Sequence, residues 1–218
     1  MSLFHETFDK IYYINLAHRT DRREHIEKTI AKLNFPADKI VRIDAEHTPW
    51  FGMLGCTKSH LKTVLHAKNT KCKNVIIFED DFNIFNAEEL IRKMNHLMSQ
   101  TEDWDVIMMS SEPIHYSQAV GLDNVIKVSE AYHASAYAVR GYYLDKLINN
   151  FAESVRELER LKKHPPPEEG CPYCNDVNWR KLQQVDNWYA FYPTLGKQLA
   201  NHSDIAGFFI DRKEDVLR

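Results

Sequence analysis

Glycine is scarce in this chain, with seven in 218 residues. There is no G-x-G-x-x-G turn and no P-loop, which excludes the usual glycine-cradled dinucleotide and NTP sites. Cysteine is scarce too. Cys56, Cys72, Cys171 and Cys174 are too few to staple a chain of this length, so reduced thiols are expected. No apolar run approaches the roughly 18 residues that span a bilayer, and "MSLFHETFDK" at the start has no signal-peptide apolar region. A cytoplasmic location without a transmembrane segment is the expectation. Basic charge is not in excess: Lys and Arg total 28 against 31 Asp and Glu, a net charge of −3. That balance argues against a nucleic-acid partner, which calls for a basic face. Proline clusters only in "HPPPEEGCPYC", read as a surface loop rather than a domain boundary, and no internal repeat is present.

What remains is ordinary for a globular protein, 44% hydrophobic and 27% charged, and long enough to bury a substantial core. "KIYYINL" reads as a first buried strand. "TDRREHIEKTIAKLNF" follows as a helix with Thr20 or Asp21 at its N-cap and Pro36 closing the segment. "KIVRID" is a short second strand, "GCTKSHLKTVLHAKN" a helix from Gly55, and "NVIIF" a third strand. The helix "AEELIRKMNHLMSQ" and the strand "WDVIMMS" come next, then shorter strands at "NVIKVS" and "ASAYAV" and a helical pattern over about 141–163. This alternation predicts an α/β fold, a mostly parallel central sheet flanked by helices. Ligands of such sheets bind at the carboxyl ends of the strands.

Glu79, Asp80 and Asp81 stand at one of those ends. Burying unpaired carboxylates costs several kcal/mol each, so a cation, basic side chains or open solvent must answer them. Glu79 and Asp81 are two apart and share a face in an extended segment, with Asp80 opposite. Paired oxygens of this kind suit Mn²⁺ or Mg²⁺; a solvated turn is the plainer alternative. After the first strand, "NLAHRTDRR" sets Asn15, Arg19, Arg22 and Arg23 beside a helix start, a combination suited to a diphosphate or simply a solvated basic turn. Ser59 and His60 are adjacent but lack a nucleophile elbow and a third orienting residue, so they read as the polar lining of a ligand pocket. "CPYC" has half the ligands of a zinc site and reads as a loop of free thiols or a local disulfide. Asp186, between apolar and aromatic residues, is either a helix-capping group or a base desolvated by Trp188 and Tyr189.

Taken in order, "YYINLAHRTDRR", "RIDAEH", "GCTKSHL" and "VIIFEDDF" resemble glycosyltransferase family 25, which includes bacterial lipooligosaccharide and animal collagen galactosyltransferases. "AYAVRGYYLDKLI", "VDNWYAFYP" and "NHSDIAG" extend the resemblance over nearly the whole chain. Two features depart from the family: the long "HPPPEEGCPYC" loop, and Lys58 where an apolar residue is common.

The resemblance implies a single GT-A-type domain. About 1–110 would form a nucleotide-sugar-binding half and about 111–218 an acceptor-binding half. It implies that Glu79 and Asp81 hold Mn²⁺ or Mg²⁺, and that Asn15, Arg19, Arg22, Asp44, Ala45, Ser59, His60 and Asp80 form the nucleotide-sugar site. The expected activity is metal-dependent transfer of a hexose, galactose or glucose, from a UDP-sugar to a hydroxyl on a glycan or protein. An inverting displacement would use Asp186 as base, with Glu112 and His133 as further candidates. A non-catalytic sugar- or partner-binding domain of the same fold and a metal-dependent phosphohydrolase are the alternatives.

Overall fold

The computed structural model describes residues 2–167 and 171–200, and the backbone of 201–202 and 209–210. The chain begins α1 (Leu3–Thr7), β1 (Lys10–Asn15), α2 (Thr20–Ala31), β2 (Ile40–Asp44), α3 (Gly52–Asn69) and β3 (Asn74–Glu79). It continues β4 (Phe82–Ile84), α4 (Ala87–Gln100), β5 (Val106–Met108), β6 (Glu112–Gln118), β7 (Val125–Tyr132), β8 (Ala136–Arg140) and α5 (Leu144–Leu161). The last elements are α6 (Asn175–Asn178), α7 (Arg180–Gln183), β9 (Trp188–Phe191), β10 (Gly196–Gln198), β11 (Asn201–His202) and β12 (Phe209–Ile210). Ser203 and Asp204 of "NHSDIAG" lie outside the described residues.

One sheet of eight strands, in the order β2-β1-β3-β8-β5-β9-β7-β6, takes members from both halves of the chain. β2, β1 and β3 pair in parallel, as do β5 and β9; β8 and β7 run against their neighbours. Six of the eight strands therefore point one way, and the expected mostly parallel α/β sheet is what forms.

Strand period two sorts the core into two layers. Ile11, Tyr13, Ile76 and Phe78 face α1, α2 and α4, meeting Phe4, Ile26, Ile30, Leu90, Met94 and Leu97. Tyr12, Ile14, Val75 and Ile77 face α3 and α5, meeting Val64, Ala67, Leu147 and Phe151. Being covered on both faces explains why β1 and β3 read as unbroken apolar runs. α4 occupies the predicted span, started by the Asn86 side chain, which accepts the Glu89 amide at 3.1 Å. α3 starts at Gly52, a turn before the expected Gly55. β6 has no counterpart among the expected strands, because it carries Pro113 and is solvent-exposed along most of its length. Among the described residues no helix is long and apolar enough to cross a membrane.

Candidate active site

The carboxyl ends of β1, β2 and β3 lie side by side as one rim of the sheet, with Asn15 opposite Asp44 and Ile14 opposite Glu79. Asn15, the last residue of β1, donates through Nδ2 to Asp80 Oδ2 at 2.7 Å and accepts from Arg42 Nε at 3.0 Å. Arg42 also holds Asp44 at 2.9 Å, and the Ala45 amide donates to the Asn15 carbonyl at 3.1 Å. Arg22 on α2 completes this side: its Nη1 lies 3.2 Å from Asp80 Oδ1 and 3.5 Å from Asp81 Oδ2. Arg19 turns to Asp21 at 2.8 Å and Arg23 to Glu27 at 2.9 Å. Of the three arginines, then, only Arg22 bonds an acidic residue of the triplet in these contacts.

Glu79 faces the other layer. Its Oε1 meets His60 Nε2 at 3.0 Å and Cys56 Sγ at 3.7 Å, both from α3. Its Oε2 accepts from Gln198 Nε2 at 2.9 Å, and the same amide nitrogen lies 3.3 Å from Asp81 Oδ1. Glu79 and Asp81 thus converge on Gln198 while Asp80 turns to Asn15. β3 ends at Glu79 and the two aspartates lie in a turn, so the expected strand alternation does not extend to them, and Asp80 and Asp81 share Arg22. Gln198 is delivered by the β10–β4 ribbon, where it pairs with Phe82, and the Leu199 amide donates to the Asp81 carbonyl at 2.8 Å.

Protonation equilibria follow from these contacts. Burial pushes the Asp80 carboxyl up, and Asn15 and Arg22 offset this only in part, so it stays above the usual range. Burial also pushes Glu79 up, but there His60, then Cys56 and Arg22, outweigh it and hold the group low. Burial and then the Glu79 charge drive the Cys56 thiol and the Tyr137 phenol well above their ordinary values, keeping both neutral.

The C-terminal half adds residues the sequence reading missed. α6 presents Asn175, whose Oδ1 is 3.9 Å from Cys56 Sγ, and Asp176, whose Oδ2 accepts the His133 amide at 3.2 Å. His133 has a left-handed φ of 77° and sets Nε2 3.4 Å from Glu112. Burial raises the Asp176 carboxyl, against the lowering effect of His133. The available signal was an acidic residue two positions after "CPYC"; Cys171 and Cys174 themselves are buried free thiols packed on Phe51, Met53 and Leu54.

Ser59 is not on the pocket wall. It is buried, bonded to the Gly55 carbonyl at 2.7 Å, and accepts the Glu46 amide at 2.8 Å. Gly55 must be glycine at this spot, since a Cβ there would come within 2.5 Å of the Glu46 carbonyl oxygen. This pins the loop between β2 and α3. The loop carries Trp50, 98% exposed at a φ of 66°, beside the buried Phe51. His47 of this loop meets His18 of the β1–α2 loop, ring centroids 5.4 Å apart.

Asp186 is not brought to this rim. It precedes β9, at the amino end of the strands, where Tyr143 donates to it at 2.7 Å and Lys146 at 2.6 Å. Its neighbour Trp188 is buried against Tyr143 and Trp179 rather than open to a sugar. The aromatic setting that suggested a desolvated base is core packing.

The rim suits a hard cation. Asp80 and Asp81 flank the Arg22 guanidinium, and oxygens of Glu79 and Asp81 already converge on a single electropositive group of Gln198.

No family model matches the chain. It is 23% identical over 197 residues to "Procollagen galactosyltransferase 1" of Danio rerio, covering 76% of this chain and 31% of that protein. Against "Procollagen galactosyltransferase 1-A" of Xenopus laevis the values are 22% over 200 residues, 78% and 31%. The chain spans under a third of the length of these curated relatives. Among solved structures, mannose-1-phosphate geranyltransferase from Thermus thermophilus superposes with a TM-score of 0.51, 11% identity, 84% coverage of this chain and 72% of that one. That likeness is one of fold. The sequence is therefore similar to procollagen galactosyltransferases, as its motifs suggested, on the α/β fold of a known transferase.

Proposed function

We propose that the protein is a glycosyltransferase that moves a hexose from a UDP-sugar to a hydroxyl of a glycan or protein by inverting displacement. The observation that carries this reading is the meeting of Glu79, Asp80 and Asp81 with Asn15 and Arg22 at the ends of parallel strands, in a chain similar to galactosyltransferases. In this reading the first half, about 1–110, binds the donor, and the second half supplies the acceptor side.

Glu79 and Asp81 would hold Mn²⁺ or Mg²⁺; when bound, such an ion offsets the charge on a departing diphosphate. Arg22 adds a fixed cation on the same side. Asn15 ties the second oxygen of Asp80 to β1 and, through Arg42, to β2. Asp44 and Ala45 extend this edge toward the nucleoside. The acceptor hydroxyl must lose a proton as its oxygen attacks, and in this reading Asp176 takes it. A base works best with a pKa drawn toward the working pH, and burial draws Asp176 upward. The His133 amide donates to its Oδ2 at 3.2 Å and fixes the carboxyl.

Calorimetry with UDP and UDP-sugars, with and without Mn²⁺, tests the donor site. Asp81→Asn should fold but lose metal-dependent binding, because a neutral amide is a poor ligand for a hard cation. Affinity unchanged in this variant, or indifferent to a chelator, would remove the metal from the proposal. A donor at a hundredfold excess over Kd should raise stability by about 2.7 kcal/mol. Release of phosphate from simple esters without an acceptor would instead mark a phosphohydrolase.

A further inference from the structure

Cys56 and His60 are four residues apart on α3, so their side chains leave the same face of the helix. That face looks at the last residue of β3. Cys56 Sγ is 3.7 Å and His60 Nε2 3.0 Å from Glu79 Oε1, and one ligand atom from each residue lies within 4.8 Å of the others. The second ring nitrogen of His60 meets the Tyr137 hydroxyl at 2.8 Å, an outer partner of the kind that fixes the ring of metal-bound histidines. Tyr137 stacks on the imidazole at 5.8 Å and Phe151 sits edge-on at 6.0 Å, so the ring has no freedom to turn away. Asn175 brings a carbonyl oxygen to 3.9 Å from the sulfur.

The donor set decides which ion fits. A thiol sulfur, an imidazole nitrogen and a carboxylate oxygen meeting at one point suit a borderline ion such as Zn²⁺, which takes three protein ligands and a fourth neutral one. Mg²⁺ and Mn²⁺ prefer oxygen alone. We propose that Cys56, His60 and Glu79 form a Zn²⁺-type site that cross-links α3 to the end of β3. It would use Glu79 Oε1, whereas the hard cation proposed above would use Oε2 with Asp81. Binding exchanges the thiol proton for the metal: the S–H bond breaks, the sulfur–metal bond forms, and the proton leaves to solvent with no redox change. The inference stands on the α3–β3 geometry and not on the transferase reading.

The test is a titration of the metal-free full chain with Co²⁺, followed by its thiolate-to-cobalt charge-transfer band. A saturable band that Zn²⁺ abolishes and excess Mg²⁺ does not is the expected result. The band should vanish in Cys56→Ser and persist in Asp81→Asn and in the Cys171→Ser, Cys174→Ser double variant. No band in the unaltered protein, a band surviving Cys56→Ser, or one lost in the double variant overturns the proposal. If Cys56→Ser fails to fold, which its melting curve reports, the unaltered protein and a Cys72→Ser, Cys171→Ser, Cys174→Ser triple variant decide. Loss of the band in the triple variant overturns the proposal, and its persistence leaves Cys56 as the one thiol. UDP binding measured alongside separates the two readings: its failure with an intact Co²⁺ band leaves this site standing.

Discussion

Asp186, at the amino end of the central sheet, and the Glu79–Asp81 triplet, at the carboxyl end, are held by different kinds of partner. At the amino end, Asp186 meets a tyrosine hydroxyl and a lysine, and the charges balance: one anion, one cation, one neutral donor. At the carboxyl end, Glu79, Asp80 and Asp81 meet Arg22, two side-chain amides and an imidazole, three carboxylates around one permanent cation among these contacts of the described residues. A balanced pair is a structural device, whereas an unbalanced cluster held rigid by neighbours is suited to receiving a positive ligand. Aromatic neighbours do not separate the two cases; charge balance does.

The largest effect should come from Asp176→Asn. Loss of a general base lowers kcat by roughly 10²–10⁴, while donor Kd moves only a few fold. The same carboxyl should set the acid limb of the rate profile. Its folded pKa lies above the ordinary 3.8, so activity should fall with decreasing pH above the usual aspartate range, and the limb should disappear in the variant. The sign for stability is opposite. A raised acid binds its proton more readily in the folded state, so stability drops as pH rises through the window above 3.8. Normal transfer by a folded Asp176→Asn would return the base to an unassigned residue.

Arg22→Ala against Arg19→Ala sharpens the comparison further. Arg22 touches two of the carboxylates, and Arg19 pairs with Asp21. Calorimetry should show UDP affinity falling at least tenfold, a loss of about 1.4 kcal/mol, in the first variant and little in the second. Equal losses would put Arg19 on the diphosphate as well.

Asp186→Asn should have the smallest catalytic effect, with transfer at near the original rate. It removes the charge from a bond to Tyr143, itself bonded to Trp188 Nε1 at 3.0 Å, and from a half-exposed lysine. A stability loss of about 1 kcal/mol is expected in a denaturant titration. A large fall in kcat without a change in melting would break the contrast between the two ends.

What could be read from the sequence followed contact range. "KIYYIN" and "NVIIFE" announce buried strands by themselves, and "AEELIRKMNHLMSQ" announces α4 over its whole span. The placement of Glu79 to Asp81 at a strand end follows from the same local pattern. Asp176 and Gln198 did not announce themselves. Their relevance depends on where α6 and β10 dock, about a hundred residues beyond the strand they approach. Asp186 misled for the same reason: local aromatic character does not tell which end of the sheet a strand starts from. Ser59 likewise looks ligand-facing beside His60, but helical geometry turns it beneath the β2–α3 loop.

Trp50 has an optical consequence. Trp104, Trp179 and Trp188 are at most 1% exposed, so Trp50 is the chain's single water-facing indole. Its emission is red-shifted relative to the other three and open to collisional quenchers that do not reach them. The β2–α3 loop thus carries a built-in fluorophore at the edge of the candidate site. Whatever settles on that rim dims or shifts one colour of the spectrum while the dry component stays constant as an internal reference.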